Sequence, residues 1–467
     1  MSPPPSSDFL VVPARRIALG RLREEIGHRL RRERGGRNEA WRVERAEVEV
    51  EPCDLLAWLE VQPHADKLYW HGRNEEAATG AVGSADVVSG EVEPTLSLLE
   101  ERARQLPEAG RYFGGLRFET GRPSAPEWQP FGAARFVLPR IEYAVRGERA
   151  TLSVNLVLPR DAQHPEAVFE ALDRVRWPAA TPPGDLPLPV GRADVPQREG
   201  WQQGIKRALR AFRTTSLEKV VLARRARYVF DEPLDPFGLT QSLEWATPSC
   251  FHFLVQPELG VTFLGASPER LFRREGRTLL SEAVAGTRPR GASSAADARL
   301  REELQMSDKD QREHGYVREQ IRASLAPFCE SLDVDAEASD MRLARGRHLY
   351  SGITASLKPD VRTLDLLRAL HPTPAVGGTP TPEALAMIAD VEPFDRGWYA
   401  GPIGWVGRGA AEFAVGIRSG LVQLGDESAT LSLYSGAGIV RGSSPEAEWD
   451  EIEHKISDFA RVLALDA

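Results

Sequence analysis

The chain is short of the residues that staple or anchor proteins. Its three cysteines, Cys53, Cys250 and Cys329, are widely separated in 467 residues. They form neither a metal-type CxxC spacing nor an even disulfide set, which fits a reducing compartment. No apolar run reaches the roughly 20 residues a membrane-spanning helix needs. Positive charge is also scarce: 59 Lys and Arg against 68 Asp and Glu leave a net charge of −9, which argues against general nucleic-acid binding. Met1–Ser7 lacks the charged-then-apolar order of a signal peptide, so a cytoplasmic protein is expected. Phosphate loops are missing too. Gly80-Ala-Val-Gly83 has too few glycines and no surrounding βαβ pattern, and no zinc spacing occurs.

What is present is an ordinary globular composition, 42% hydrophobic and 27% charged. Residues 1–177 read as one N-terminal region of a larger composite fold. Within it Val48–Glu51, Lys67–His71, Arg135–Leu138 and the alternating run Ala150–Leu158 predict strands. Near the start, Arg15, Arg16, Arg21, Arg23, Arg29, Arg31, Arg32 and Arg34 are interleaved with Glu24, Glu25 and Glu33, which predicts a solvated helix. Residues 178–199 carry Pro178, Pro182, Pro183, Pro187, Pro189 and Pro196 and predict a linker or a long surface crossing. In residues 200–467 a helix from Trp201 leads into the strand Lys219–Ala223, and Phe251–Val255 with Val261–Leu264 predict a hairpin. Gly291–Ala296 reads as a low-complexity loop. Trp398–Trp405, Phe413–Arg418 and Thr430–Tyr434 predict three consecutive strands of an antiparallel meander.

The residues able to carry chemistry lie in this second half. Ser444 and Pro445 open a helix whose Trp449, Ile452, Ile456, Phe459 and Leu463 repeat at helical spacing. Glu448 and Glu451 flank that stripe, either as a solvated acidic edge or as ligands for a cation. Glu313 lies in line with Val317, Ile321 and Leu325, where a carboxylate meets either an arginine or a metal. Glu269 follows an apolar strand, open to pairing with Arg270 or to an active role. Lys219 begins an apolar strand, either snorkelling at its edge or pointing inward and losing its proton by desolvation. Arg418, in an apolar strand beside the strand of Tyr399, suits a substrate carboxylate or a structural acid. Gly436 and Gly438 allow either a close backbone approach to an anion or a tight turn.

Read in order, the motifs run Lys219-Val-Val-Leu-Ala-Arg224, Gly265-Ala-Ser-Pro-Glu269, Ala285-Gly-Thr-Arg-Pro-Arg290 and Lys309-Asp-Gln-Arg-Glu-His314. They continue through His371-Pro-Thr-Pro-Ala-Val376, Arg396-Gly-Trp-Tyr-Ala-Gly401, Gly416-Ile-Arg418, Gly436-Ala-Gly-Ile439 and Glu448-Trp-Asp-Glu451. This series resembles the chorismate-utilising enzymes, in particular their isochorismate synthase branch, over residues 200 to 465. The resemblance implies an α+β fold with antiparallel β-sheets sandwiched together and helices outside. It implies a magnesium ion held by Glu313 and Glu451, with Glu448 nearby through water. Lys219 would deprotonate a water that attacks C2 of chorismate, and Glu269 would protonate the departing C4 hydroxyl. Gly286 and Thr287 would line the pocket, with His348 near the substrate ring. Tyr399 and Arg418 would grip the enolpyruvyl carboxylate.

Branch-distinguishing positions follow from the same resemblance. Lys219 stands where anthranilate synthases carry glutamine, so water is expected to attack and no glutamine amidotransferase subunit is expected. Ala285 stands where aminodeoxychorismate synthases carry a nucleophilic lysine. Ala375 resembles the isochorismate synthase pattern. Leu68–Arg73, Phe113–Phe118 and Phe136–Glu142 look like the N-terminal halves of menaquinone-type members. The alternatives are a salicylate synthase that goes on to eliminate pyruvate, a siderophore-pathway isochorismate synthase, and an inactive interaction subunit. A monomer or weak homodimer is expected.

Overall fold

The computed structural model describes residues 13–34, 40–179, 186–344 and 346–461. Among them twenty strands join into one hydrogen-bonded network, with every pairing antiparallel. The network branches at Ala134–Arg146, a strand long enough to serve three neighbours. Ala77–Gly90 runs along one of its edges, while Arg111–Leu116 and Arg149–Leu158 divide the other. One arm continues from Ala77–Gly90 through Lys67–His71, Phe251–Glu258, Val261–Ser267, Ser419–Leu424 and Ala429–Ile439 to Lys219–Phe230. The second runs from Arg111–Leu116 through Pro402–Gly407, Ala410–Val415, Arg270–Glu275 and Thr278–Pro289 to Gly346–Leu357. Each arm starts with strands of the N-terminal region and continues with strands of the second half, and their apolar faces share one core.

That branching corrects the expected meander. Pro402–Gly407 pairs with Ala410–Val415, but the next strand, Ser419–Leu424, belongs to the other arm. The chain changes sheets at Gly416–Arg418. Gly416 N–H donates to Gly401 O at 2.7 Å, and a Cβ at residue 416 would stand 2.8 Å from Trp398 O. Arg418 takes φ +50°, a left-handed conformation that costs a non-glycine residue energy. Tyr399 precedes its strand in a turn, so neither residue lies on a neighbouring strand as expected. Periodicity could not show this, because apolar residues continue on both sides of the break, at Phe413–Ile417 and at Leu421 and Val422.

The proline-rich stretch also differs from expectation. Gly191–Val195 is a strand paired with Lys219–Phe230, and the next helix, Arg198–Thr214, has already begun at residue 198. Pro182 and Pro183 lie outside the described residues, as do Met1–Ser7 and Leu463. The Gly291–Ala296 loop gives way to a helix, Ser294–Met306, because the Ser293 side chain accepts from Ala296 N and caps it.

The arginine-rich helix, Pro13–Arg34, is not solvated all round. Ala18, Leu22, Ile26 and Leu30 recur every four residues and are buried, facing Arg42–Val50. On the other faces Arg29 meets Glu25 at 2.6 Å and Arg23 meets Asp173, while the buried Arg15 donates to Glu51 O and Pro52 O. Ile26→Ala should therefore cost about 2–5 kcal/mol in urea denaturation. A cost below about 0.5 kcal/mol, typical of a surface position, would mean that the helix does not pack.

Candidate active site

Strand Lys219–Phe230 begins with a side chain that has no access to solvent. Lys219 Nζ stands 3.1 Å from Glu313 Oε1. Glu313 comes from helix Asp308–Leu325, whose buried face is made by Asp310, His314, Val317, Ile321 and Leu325. Glu313 thus stands at the margin of the stripe, and His314 takes the place expected for it. Its partner is a lysine, not the arginine considered above. Strand Ala429–Ile439 places Gly438 opposite Val221. A Cβ on Gly438 would collide with Glu313 Oε1 and lie 3.2 Å from Lys219 Cε. Only glycine leaves room for this pair.

Ser444 caps helix Pro445–Ala460, which carries the other two acids. Glu448 does not flank the buried stripe but belongs to it, at 1% exposure. Lys309 Nζ meets it at 2.6 Å, while its Oε2 is buried with no hydrogen-bond partner. Burial pushes the Glu448 carboxyl up, against the pull of Lys309. Glu451 is also desolvated, but Lys455 at 2.7 Å overcomes this and holds it below the usual range. Burial acts against the charge on Lys309, yet Glu448, Glu451 and Glu313 together keep its pKa raised. All three carboxylates act on the Lys309 ammonium, with Glu448 in contact, but they do not all approach within 4.8 Å of one another. An all-oxygen donor set with an orphaned buried oxygen fits a hard divalent cation such as magnesium.

Glu269 has the opposite problem. It lies between Val261–Ser267 and Arg270–Glu275 at 4% exposure, and among the described residues it forms no ion pair. Arg270, its sequence neighbour, pairs instead with Glu412 at 3.2 Å. Burial, reinforced by the nearby Glu282 charge, pushes Glu269 up to about 8, against weaker pulls from Lys219 and Arg73. Glu282 itself is matched by a buried fork, with Arg73 Nη1 at 2.8 Å from Oε1 and Nη2 at 2.5 Å from Oε2. Glu269 is therefore a neutral, proton-bearing acid near neutral pH.

A cavity of ≈ 90 Å³ brings these residues together. Glu269, Gly286, Thr287, Glu313 and His348 line it, with Ala375, Tyr399, Arg418, Gly436, Gly438 and Glu451. Lys219 stands behind the wall through Glu313, and Glu448 behind it near Lys309. The chamber adjoins a wider basin of ≈ 960 Å³ and shares Thr287, His348, Arg418, Glu451 and Lys455 with it. His348 Nδ1 lies 3.1 Å from Gly286 O and 3.0 Å from Thr287 Oγ1. Burial, with help from Arg418 and Lys455, brings His348 down to about 3, so the ring is neutral. Its Nε2 is a buried acceptor without a partner.

Sequence reasoning missed the residues that hold this wall in place. Arg396 donates to Val376 O at 2.9 Å, to Val221 O at 2.8 Å and to both oxygens of Glu392. It thereby ties the Ala375 loop to the Lys219 strand. The Glu392–Arg396 spacing of four was a usable signal, as was Glu451–Lys455. Tyr434 stacks on Tyr399 with ring centroids 5.2 Å apart. Arg73 had no local signal, since Glu282 is 209 residues away.

Glu269 carries a pH signature. Its folded pKa is raised, so the stabilisation from its proton is complete below about 4.5 and is lost as pH rises through about 8. Glu269→Gln does not titrate. Its melting temperature should gain on the parent across that window, by an amount equivalent to a few kcal/mol at the alkaline end. A difference that stays constant with pH would show that Glu269 is already ionised when folded.

Comparison with known proteins identifies the family. The chorismate binding enzyme family matches residues 32–464. The chain is 38% identical over 362 residues to isochorismate synthase 2, chloroplastic, of Arabidopsis thaliana, covering 76% of this chain and 64% of the plant protein. It thus spans less than two thirds of that relative's length. Over 437 residues it is 36% identical to the salicylate biosynthesis isochorismate synthase of Pseudomonas aeruginosa, covering 90% of each. The solved structure of MenF, the menaquinone-specific isochorismate synthase from Escherichia coli, superposes with TM-score 0.81 at 28% identity, over 96% of this chain and all of that one. The sandwiched antiparallel arms with outer helices are the fold of that structure, and this chain belongs to the chorismate-binding enzymes.

Proposed function

We propose that the protein is an isochorismate synthase that converts chorismate to isochorismate with Mg2+. The observation that carries this is the chamber itself, where a proton-bearing acid, a guanidinium and the Glu313 carboxylate face one small volume, with the Lys219 amine directly behind that carboxylate. That volume falls short of the ~300–1,000 Å³ of a typical small-molecule pocket, so part of the substrate would extend into the adjoining basin. Arg418 and Tyr399 would hold the enolpyruvyl carboxylate. Lys219 would take a proton from the water that attacks C2, and Glu269 would deliver one to the leaving C4 oxygen. The lone pair on His348 Nε2 is placed to accept from a ring hydroxyl. Glu313, Glu451 and Glu448 would hold magnesium, which supplies positive charge against the ring carboxylate of a dianionic substrate. Menaquinone supply is the role we assign, supported by end-to-end similarity to the Escherichia coli structure. Supply of a salicylate route is the second reading, supported by the Pseudomonas relative.

Incubation of purified protein with chorismate and Mg2+, followed by product separation, tests the reaction. Isochorismate alone is expected. Salicylate with pyruvate would indicate the lyase, and no conversion would indicate an inactive subunit. Lys219→Ala should lower turnover by ~10²–10⁴-fold with magnesium dependence intact. Glu313→Ala should raise the magnesium requirement by more than about tenfold. Full turnover in either variant removes that residue from its role. Gly438→Ala should keep its circular dichroism spectrum but lose turnover, because the new methyl displaces the flexible Glu313 carboxylate. Unchanged turnover would show that the position of that carboxylate is unimportant.

A further inference from the structure

A second group of ligand-bearing side chains lies apart from this chamber. His71 ends strand Lys67–His71, and His252 is its direct partner across the sheet on Phe251–Glu258. Glu244 reaches them from helix Pro236–Ala246. One ligand-capable atom of each of the three lies within 4.8 Å of the others, and among the described residues no other such trio occurs. Sequence spacing could not show it, because the three converge only through sheet pairing and helix packing.

The hydrogen bonds around the trio fix the lone pairs. Thr247 Oγ1 donates to Leu243 O at 2.6 Å, so it can only accept at 3.0 Å from His252 Nε2–H. His252 Nδ1 is therefore a bare lone pair, and it is buried without a partner on a ring only 2% exposed. His71 Nε2 faces Glu75 O at 2.9 Å and must donate there. Its Nδ1 is turned to the Glu244 carboxylate, a contact that needs a cation, either a proton or a metal, between two electron-rich atoms. Tyr69 O–H donates to the same Glu244 oxygen at 2.7 Å. One imidazole turned to the carboxylate, a second with an unpartnered buried Nδ1 on the paired strand, and one hydrogen-bonded carboxylate make the donor set of a borderline divalent metal, with a fourth position for water.

We propose that His71, Glu244 and His252 bind a zinc-class divalent ion at a site separate from the carboxylates of the chamber. Imidazole donors select this class over magnesium. The ion would clamp a strand of the N-terminal region to a strand and a helix of the second half. It would also steady the strand end from which Arg73 reaches Glu282.

Chelator-treated full-length protein in excess Mg2+ is titrated with Zn2+ by calorimetry, with Co2+ as an absorbance probe. One tight equivalent of Zn2+ and Co2+ bands of nitrogen-containing ligation are expected. Zn2+ should raise the melting temperature of the parent and of Glu313→Ala, but not of His71→Ala or His252→Ala. The proposal is overturned if the double variant His71→Ala/His252→Ala keeps the equivalent, if the parent binds none, or if the Co2+ spectrum shows oxygen ligation alone. The spectrum of the parent decides the matter even if a variant fails to fold.

Discussion

A buried carboxylate must find a cation or keep a proton, and this requirement organises the site. Buried Glu282, Glu392 and Glu448 take Arg73, Arg396 and Lys309, while the half-buried Glu313 and Glu451 lie against Lys219 and Lys455. Glu269 is the exception, and its surroundings leave it neutral. Acid chemistry is thus assigned by what Glu269 lacks. The matched acids around it are held in place by their basic partners.

The fold serves this distribution of charge. Lys219, Gly436 and Gly438 come from the far end of one sheet arm, and Gly286, Thr287 and His348 from the far end of the other. Arg418 sits where the chain passes between them. No single element holds the chamber. Arg396 and Glu392 bind strand, loop and turn into one wall by hydrogen bonds to backbone oxygens and to Ala223 N–H.

Much of this was legible in the sequence where the signal is local. Lys67–His71 emerged with the expected bounds, because its aromatic Tyr69 and Trp70 and the flanking breakers Asp66 and Gly72 are adjacent in the chain. The candidate site residues came from ordered motifs, and the chamber gathers all of them except Lys219 and Glu448, which stand just behind its wall. What stayed hidden depends on distant partners. The apolar stripe Ala18–Leu22–Ile26–Leu30 was masked by arginines around it, and the change of arm at Gly416–Arg418 has apolar strand residues on both sides. The fork of Arg73 on Glu282 and the His71–Glu244–His252 trio exist only once the sheet has formed.

The joining of N-terminal to second-half strands in each arm also limits how the protein can be divided. Phe251–Glu258 has Lys67–His71 as one neighbour, and Pro402–Gly407 has Arg111–Leu116. A fragment starting near residue 200 would expose the backbone donors and acceptors of both strands along open edges. Such edges recruit other chains, so the expected fate of that truncation is self-association and not a smaller working enzyme.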